Sequence, residues 1–279
     1  MHRLLLFALL MISPLVRAGT SPEVPVIELQ ASDRPQERVI GQFVSLLSDE
    51  SQQFSEQDVL SGRYDDRFVR SDRDFPSRGL RTGNEWVRFV IHNASTEARQ
   101  LNLESRYPMT DFITIFQKNG QGNFEGLTLG DQVEFDRRPQ AFRLPIFELN
   151  LSPGDNVFYL RIRTSGTVLV SLYLWDSAYL QKYMKKDTTI LSLAYGAIGV
   201  LLLYNIFLAI SLRSKTYSIY SLYLIIYIFS QVGGQGSGAE WFSGTLAKWS
   251  MNEAFLASVA VSNGLSCIFA GKPNPTNRG

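Results

Sequence analysis

Twenty-five consecutive residues without a charge, Thr188 to Leu212, constrain this chain more than any other feature. As a helix the stretch runs about 37 Å, enough to cross a hydrocarbon core of about 30 Å with some tilt. Ahead of it the chain is charged and patterned for strands. Beyond it apolar segments recur. The hydrophobic content of 45% therefore averages two unlike halves. A folded polar domain is tied to a lipid bilayer, and function has to be read from that arrangement.

The N-terminus carries Arg3, an apolar run from Leu4 and a small-residue site at Val16-Arg17-Ala18. That is the layout of a secretory signal peptide, expected over residues 1–19. Lys182, Lys185 and Lys186 precede the uncharged run and Arg213 and Lys215 come after it. Counted alone, these charges favour the opposite orientation. The leader decides instead for export, which places the strand-patterned domain outside the cytoplasmic membrane. A single cysteine, Cys267, excludes an intrachain disulfide framework. With only His2 and His92, a histidine-rich metal site is excluded as well.

Strand signals become regular from Trp86 to Asn93, where Trp86, Arg88, Val90 and His92 alternate with Val87, Phe89 and Ile91. Leu101–Ser105, Asp111–Lys118, Ala141–Leu149, Asn156–Arg163 and Val168–Trp175 read as further strands, with Val24–Leu29 as an edge. Asn119-Gly120 and Ser152 to Asp155 are turns. Ser61 to Gly83 mixes arginine and aspartate, so it reads as a solvated loop rather than a nucleic-acid stripe. A short helix is expected near Ser177 to Met184. Together these predict an all-β sandwich over 25–178, large enough to bury a core. A short α-helical transmembrane region is expected over 188–270, with spans at about 188–212, 217–232 and 254–270. The tail 271–279 is polar. Gly196 and Gly199 are candidates for close helix packing, and Asn205 for a hydrogen bond to a neighbouring helix.

The stretches Glu85–Asn93, Asp111–Phe116, Phe142–Pro145 and Tyr159–Gly166 leading into Leu172–Trp175 are familiar in their order. So are Gly196–Asn205 and Arg213–Tyr220 in the membrane half. Over roughly residues 25–250 the chain resembles the bacterial receptors with seven transmembrane helices and diverse intracellular signalling modules, the 7TMR-DISM family. The resemblance implies a jelly-roll-like extracellular sandwich related to carbohydrate-binding modules. It also implies a membrane bundle that relays binding to a cytoplasmic output. The nine residues after Ala270 are too few for such an output domain, so the chain reads as a shortened receptor.

A periplasmic sensor that binds a carbohydrate or other small ligand is the expected function. Trp86, Tyr107, Phe124 and Tyr173 are candidates for stacking on a ligand. Arg137 and Arg138 are candidates for an anionic group. A glycoside hydrolase would need paired carboxylates across one cleft; Glu104, Asp111, Asp131 and Glu134 are available, but sequence pairs none of them. No nucleophile elbow, phosphate loop or metal-ligand cluster appears, so neither enzymatic activity nor a cofactor is expected. The alternative to a sensor is an accessory subunit that forms a homodimer or assembles with other membrane signalling proteins. No nucleic-acid partner is expected.

Overall fold

A computed structural model describes residues 25–81, 83–242 and 244–270, side chains 247 and 265–270 excepted. The signal peptide expected over 1–19 and the tail 271–279 lie outside the described residues. Two β-sheets pack face to face. The larger has seven strands. Its centre is β6 (Asn84–Asn93), whose alternation sends Val87, Phe89 and Ile91 into the core, all fully buried. β11 (Gly154–Arg163) pairs antiparallel with it from Gly154↔Asn93 to Ile162↔Glu85. At their crossing Phe89 and Phe158 stack with centroids 5.2 Å apart, a pair favoured beyond its buried area. The other long edge of β6 is shared. β3 (Ser45–Asp49) runs antiparallel along its first half, and β1 (Val26–Leu29) runs parallel along its last four residues. β4 (Val69–Arg70) extends that side, while β8 (Phe112–Lys118) and β9 (Phe124–Leu129) extend the other.

The second sheet has the order β10-β7-β13-β2, with β2 at Arg38–Val39, β7 at Arg99–Ser105, β10 at Ile146–Leu151 and β13 at Leu172–Trp175. Leu101, Leu103, Phe147, Leu149, Leu172 and Leu174 face the first sheet and complete the core. A small third sheet joins β5 (Ser77–Leu80) to β12 (Thr167–Leu169).

Three sequence expectations change in detail. The strand read from Ala141 starts only at Ile146, because Pro145 lacks the donor that a ladder position needs. The strand read over Val168–Trp175 is interrupted after Leu169. The arginine- and aspartate-rich stretch holds β4 and β5 and comes after helix α1 (Glu56–Leu60), which Ser55 caps by accepting from the Asp58 amide. Together α1 and the turns after it lay Phe54, Val59, Leu60, Tyr64 and Phe68 over the outer face of the large sheet.

The membrane half opens with one continuous helix, α2 (Ser177–Ser211), instead of a short helix and a separate span. Its 35 residues make a rod of about 52 Å. Asp176 caps it by accepting from the Ala178 amide. Its first turns pack on the outer face of the second sheet, where Trp175 stacks on Tyr183 at 4.9 Å and Leu180 is buried. Further along, Leu193, Val200, Leu203, Phe207 and Ile210 are exposed, as lipid contact requires. Among the described residues α2 is the helix long and apolar enough to cross a membrane. Helix α3 (Lys215–Gly234) returns towards the sandwich. The short α4 (Gly238–Trp241) and α5 (Gly244–Met251) come next, then α6 (Glu253–Ala270), which packs along α3.

Candidate functional site

Where α3 ends, the chain meets the end of the sandwich formed by residues 106–111 and 130–145. Arg143 holds the junction. Its Nε and Nη2 each donate to the Asp187 carboxylate at 2.9 Å, and its Nη1 donates to the Gln235 carbonyl at 2.6 Å. One planar guanidinium thus ties the loop before β10 to α2 and to the C-terminus of α3. Bidentate charge-assisted pairs of this kind are the strong ones. Burial works against the Arg143 charge, but Asp187 beside it more than compensates and holds its pKa up.

Backbone contact closes the seat further. Gly236 has φ +78, and a Cβ there would lie 2.8 Å from Pro108 Cβ and 3.2 Å from the Arg143 carbonyl. Gly236→Val is expected to push 235–242 off the sandwich. The strained backbone alone costs roughly 1–3 kcal/mol, before the collision. Limited proteolysis of the full chain in nanodiscs should show faster cleavage between 235 and 243 than in the parent.

Beside Arg143 lies Arg138, 9% exposed. It donates to the carbonyls of Phe142, Arg143 and Gly130 at 2.9, 2.8 and 3.2 Å. Burial pulls its pKa down to about 10, and the charges of Glu240 and Asp131 resist that fall. Asp131 is 2% exposed, and neither of its carboxylate oxygens has a hydrogen-bond partner. Burial and the nearby Asp111 charge push it up to about 6; Gln132, Asn252 and Arg138 approach closely enough to oppose this, without a hydrogen bond of good geometry. Gly130, with φ +143, lets the chain pass so close to the Asp111 carbonyl that a Cβ would sit 2.2 Å from it. That approach delivers the Asp131 amide to the Thr110 carbonyl at 2.9 Å.

Beside these residues a cavity of about 420 Å³ lies between the sandwich and the α4–α5 segment. Asp131, Glu134 and Asp136 line one side, and Glu240, Trp241 and Lys248 the other. Among the described residues no group of three or more His, Cys, Asp or Glu is placed to hold a metal ion.

The residues expected from sequence fall into three places. Trp86 and Phe124 share the aromatic cluster on the outer face of the large sheet. There Trp86 is fully buried and stacks on Phe116, and Phe124 meets Tyr159 edge-on. Tyr107, Arg137 and Arg138 lie at the junction. Arg137 points to solvent and pairs with Glu134 at 3.2 Å, while Arg138 is occupied by its three carbonyls. Tyr107 feels the Asp131 charge, and burial together with that charge raises its pKa. Tyr173 lies on the second sheet, with the Arg106 guanidinium 3.7 Å above its ring. Arg106 in turn bonds the fully buried Glu104, which also accepts from Trp175 Nε1 at 2.9 Å.

In the membrane half, a Cβ at Gly196 or Gly199 would meet nothing within 4 Å. Close packing falls instead on Gly233 and Gly234, where a Cβ would collide with Ser250 or Phe255. Asn205 donates to the Leu201 carbonyl of its own helix at 2.8 Å rather than to a neighbour. Arg143, Asp187 and Glu240 were not singled out from sequence as site residues. The one available signal is at Asp187, the last charge before the uncharged run and the acidic residue after Lys185 and Lys186.

A β-sandwich seated on membrane helices, with its first helix rooted in the sandwich and running on into the bilayer, is the build of a membrane-anchored receptor. Residues 41–176 match the family model for the 7TMR-DISM extracellular domain 2, and residues 187–272 match the model for the 7TM diverse intracellular signalling domain. The chain belongs to the 7TMR-DISM family. It is an inner-membrane receptor whose N-terminal domain stands in the periplasm. Both matched models are sensory and membrane modules of a signalling family rather than catalytic domains. Among solved structures, a CBM35 from Cellvibrio japonicus is similar at 14% sequence identity and a TM-score of 0.25, over 52% of this chain and 89% of that one. No curated protein matches the chain.

Proposed function

We propose that the sandwich takes up a small ligand outside the membrane and passes its state to the helices through the Arg143 junction. The carrying observation is the three-way hold of Arg143 on its own loop, on Asp187 of α2 and on the Gln235 carbonyl. A shift of the 130–145 loop moves that guanidinium, and α2 is one rod from Asp187 to Ser211. Residues 25–178 then form the sensor and 188–270 the membrane part, with α3 and α6 as its second and third passes. The packing of 235–251 against the sandwich supports that topology, because it brings α3 back to the side from which α2 left. A jelly-roll relation is supported by two facing sheets of mainly antiparallel strands. The ligand site is best supported at the junction cavity. Trp86, Phe124 and Tyr173 are engaged by neighbouring side chains, which offers less to a carbohydrate ring. In this reading the helices hand the signal on within an assembly of membrane signalling proteins.

The test is hydrogen–deuterium exchange on the full chain in nanodiscs. Arg143→Ala should speed exchange at 177–187 and 235–242 by about tenfold or more, the worth of charge-assisted bonds. β6 and β11 should keep their protection. Arg143→Lys should restore little, since an ammonium cannot bridge a carboxylate bidentately. Unchanged exchange at both segments would remove the relay.

A further inference from the structure

We propose that the junction cavity binds a small organic ammonium group, the cation seated between Asp131 and Glu240 and its alkyl part against Trp241. This rests on the sensor reading above and names its ligand class.

Charge is the first observation. Asp131, Glu134, Asp136 and Glu240 line the cavity. Glu134 is paired with Arg137 outside it. Lys248 is the only cation in the lining among the described residues, and none of the four carboxylates forms an ion pair with it. The second observation is independent of that count. Asp131 is almost wholly withdrawn from solvent on the sandwich side, and both its carboxylate oxygens lack a donor. A buried carboxylate without a partner is costly. The surrounding fold holds it there all the same. Gly130 takes up a backbone conformation that L side chains rarely adopt, and the amides of Asp131 and Gln132 are pinned to Thr110 and Asp111. Arg138, whose charge reaches Asp131, spends its Nη1 and Nη2 donors on three carbonyls instead of on the carboxylate. The site therefore keeps a negative group free for something that brings its own charge.

The walls decide the class of cation. No trio of metal-ligating side chains is assembled among the described residues, which speaks against a bare divalent ion. Trp241 lines the cavity on the helix side, half-exposed and meeting Tyr195 edge-on. Phe242 beside it stacks on Phe229, and Phe135 on the sandwich side lies under the Arg138 guanidinium, which leaves Trp241 as the ring that can face a ligand. Aromatic faces beside carboxylates suit an alkylammonium, whose charge is attracted to the ring face while its carbons cover apolar surface. The volume, about 420 Å³, lies within the range of small-molecule sites. Because one wall is sandwich and the other is the α4–α5 segment, an occupant bridges the two parts that Arg143 also joins. The same ammonium chemistry is carried by free amines and by the headgroup of phosphatidylethanolamine.

The test uses the full chain in nanodiscs of phosphatidylglycerol, which offer no amine. Putrescine and choline are titrated by calorimetry, with 1,4-butanediol as the uncharged control. Saturable binding of at least one amine and none of the diol is expected. Asp131→Asn should weaken it by about tenfold or more, as loss of a charged hydrogen-bond partner does. Trp241→Ala, at a half-exposed position whose ring also meets Tyr195 edge-on, should weaken it by about fivefold through loss of the ring face. Nanodiscs containing phosphatidylethanolamine separate the sources. Weaker apparent amine binding there identifies the headgroup as the occupant, and unchanged binding identifies a free amine. Absence of saturable amine binding, equal binding of the diol, or affinity indifferent to both substitutions would overturn the assignment. Such a failure leaves the Arg143 exchange experiment untouched, so the ligand class and the relay stand or fall separately.

Discussion

Arg138→Ala should destabilise the sandwich by about 3 kcal/mol or more, because three carbonyls lose their donor at once and each unmet buried acceptor costs about 1–3 kcal/mol. The acceptors belong to Phe142, Arg143 and Gly130, so the guanidinium stitches the 138–143 turn to the end of β9. The same turn presents Arg143 to the membrane helices. Loss should therefore register twice: in urea unfolding of the full chain in micelles, monitored by tryptophan fluorescence, and as faster hydrogen exchange at 235–242. Arg138→Lys should recover only a small part, since one ammonium cannot span acceptors arranged for a planar fork. A loss below about 1 kcal/mol would mean that water replaces the guanidinium and that the turn holds itself.

Asp131→Asn should act in the opposite direction. Burial, and after it the Asp111 charge, raises the Asp131 pKa to about 6 from an ordinary 3.8. A carboxyl whose folded pKa is raised contributes stability that is complete below the unfolded value and is lost as pH rises through the folded one. Below about pH 4 the substitution should change little. Between there and pH 6 the parent should lose ground, and above pH 6 the asparagine variant should be more stable, by on the order of 3 kcal/mol if the whole shift is realised. Urea unfolding of the full chain at pH 4 and pH 8 reads the difference. A parent that is the more stable at pH 8 would show that a donor or cation already satisfies the carboxylate.

Much of the fold was legible because β periodicity is local. The alternation of Trp86 to Asn93 named the faces of β6, although the strand read from Ala141 ran through Pro145 and begins only at Ile146. The change of solvent near Thr188 located the membrane half. The start of α2 was less legible. Ser177 to Asp187 is polar and aromatic, and nothing in it announces that it continues the apolar rod, since a helix crosses such a boundary at no backbone cost once it is capped. The second span is expected to end at about 232, yet α3 runs through Gly233 and Gly234. There the missing side chains admit Phe255 and Ser250 of the neighbouring helical segment.

By itself, then, the sequence determined the order of parts: strands first, an uncharged helix after them, and a polar sandwich joined to a bilayer. Hydrophobic patterning and turn chemistry are properties of neighbouring residues, and they survive without knowledge of the fold. Only the tertiary structure decided which charges meet. Arg143 finds Asp187 from 44 residues away and the Gln235 carbonyl from 92, while Arg138 is spent on carbonyls and Asp131 is left without a donor. Electrostatic pairing depends on distances of a few ångströms between segments far apart in the chain. Those distances are set by where loops land when the core closes, which no local pattern records.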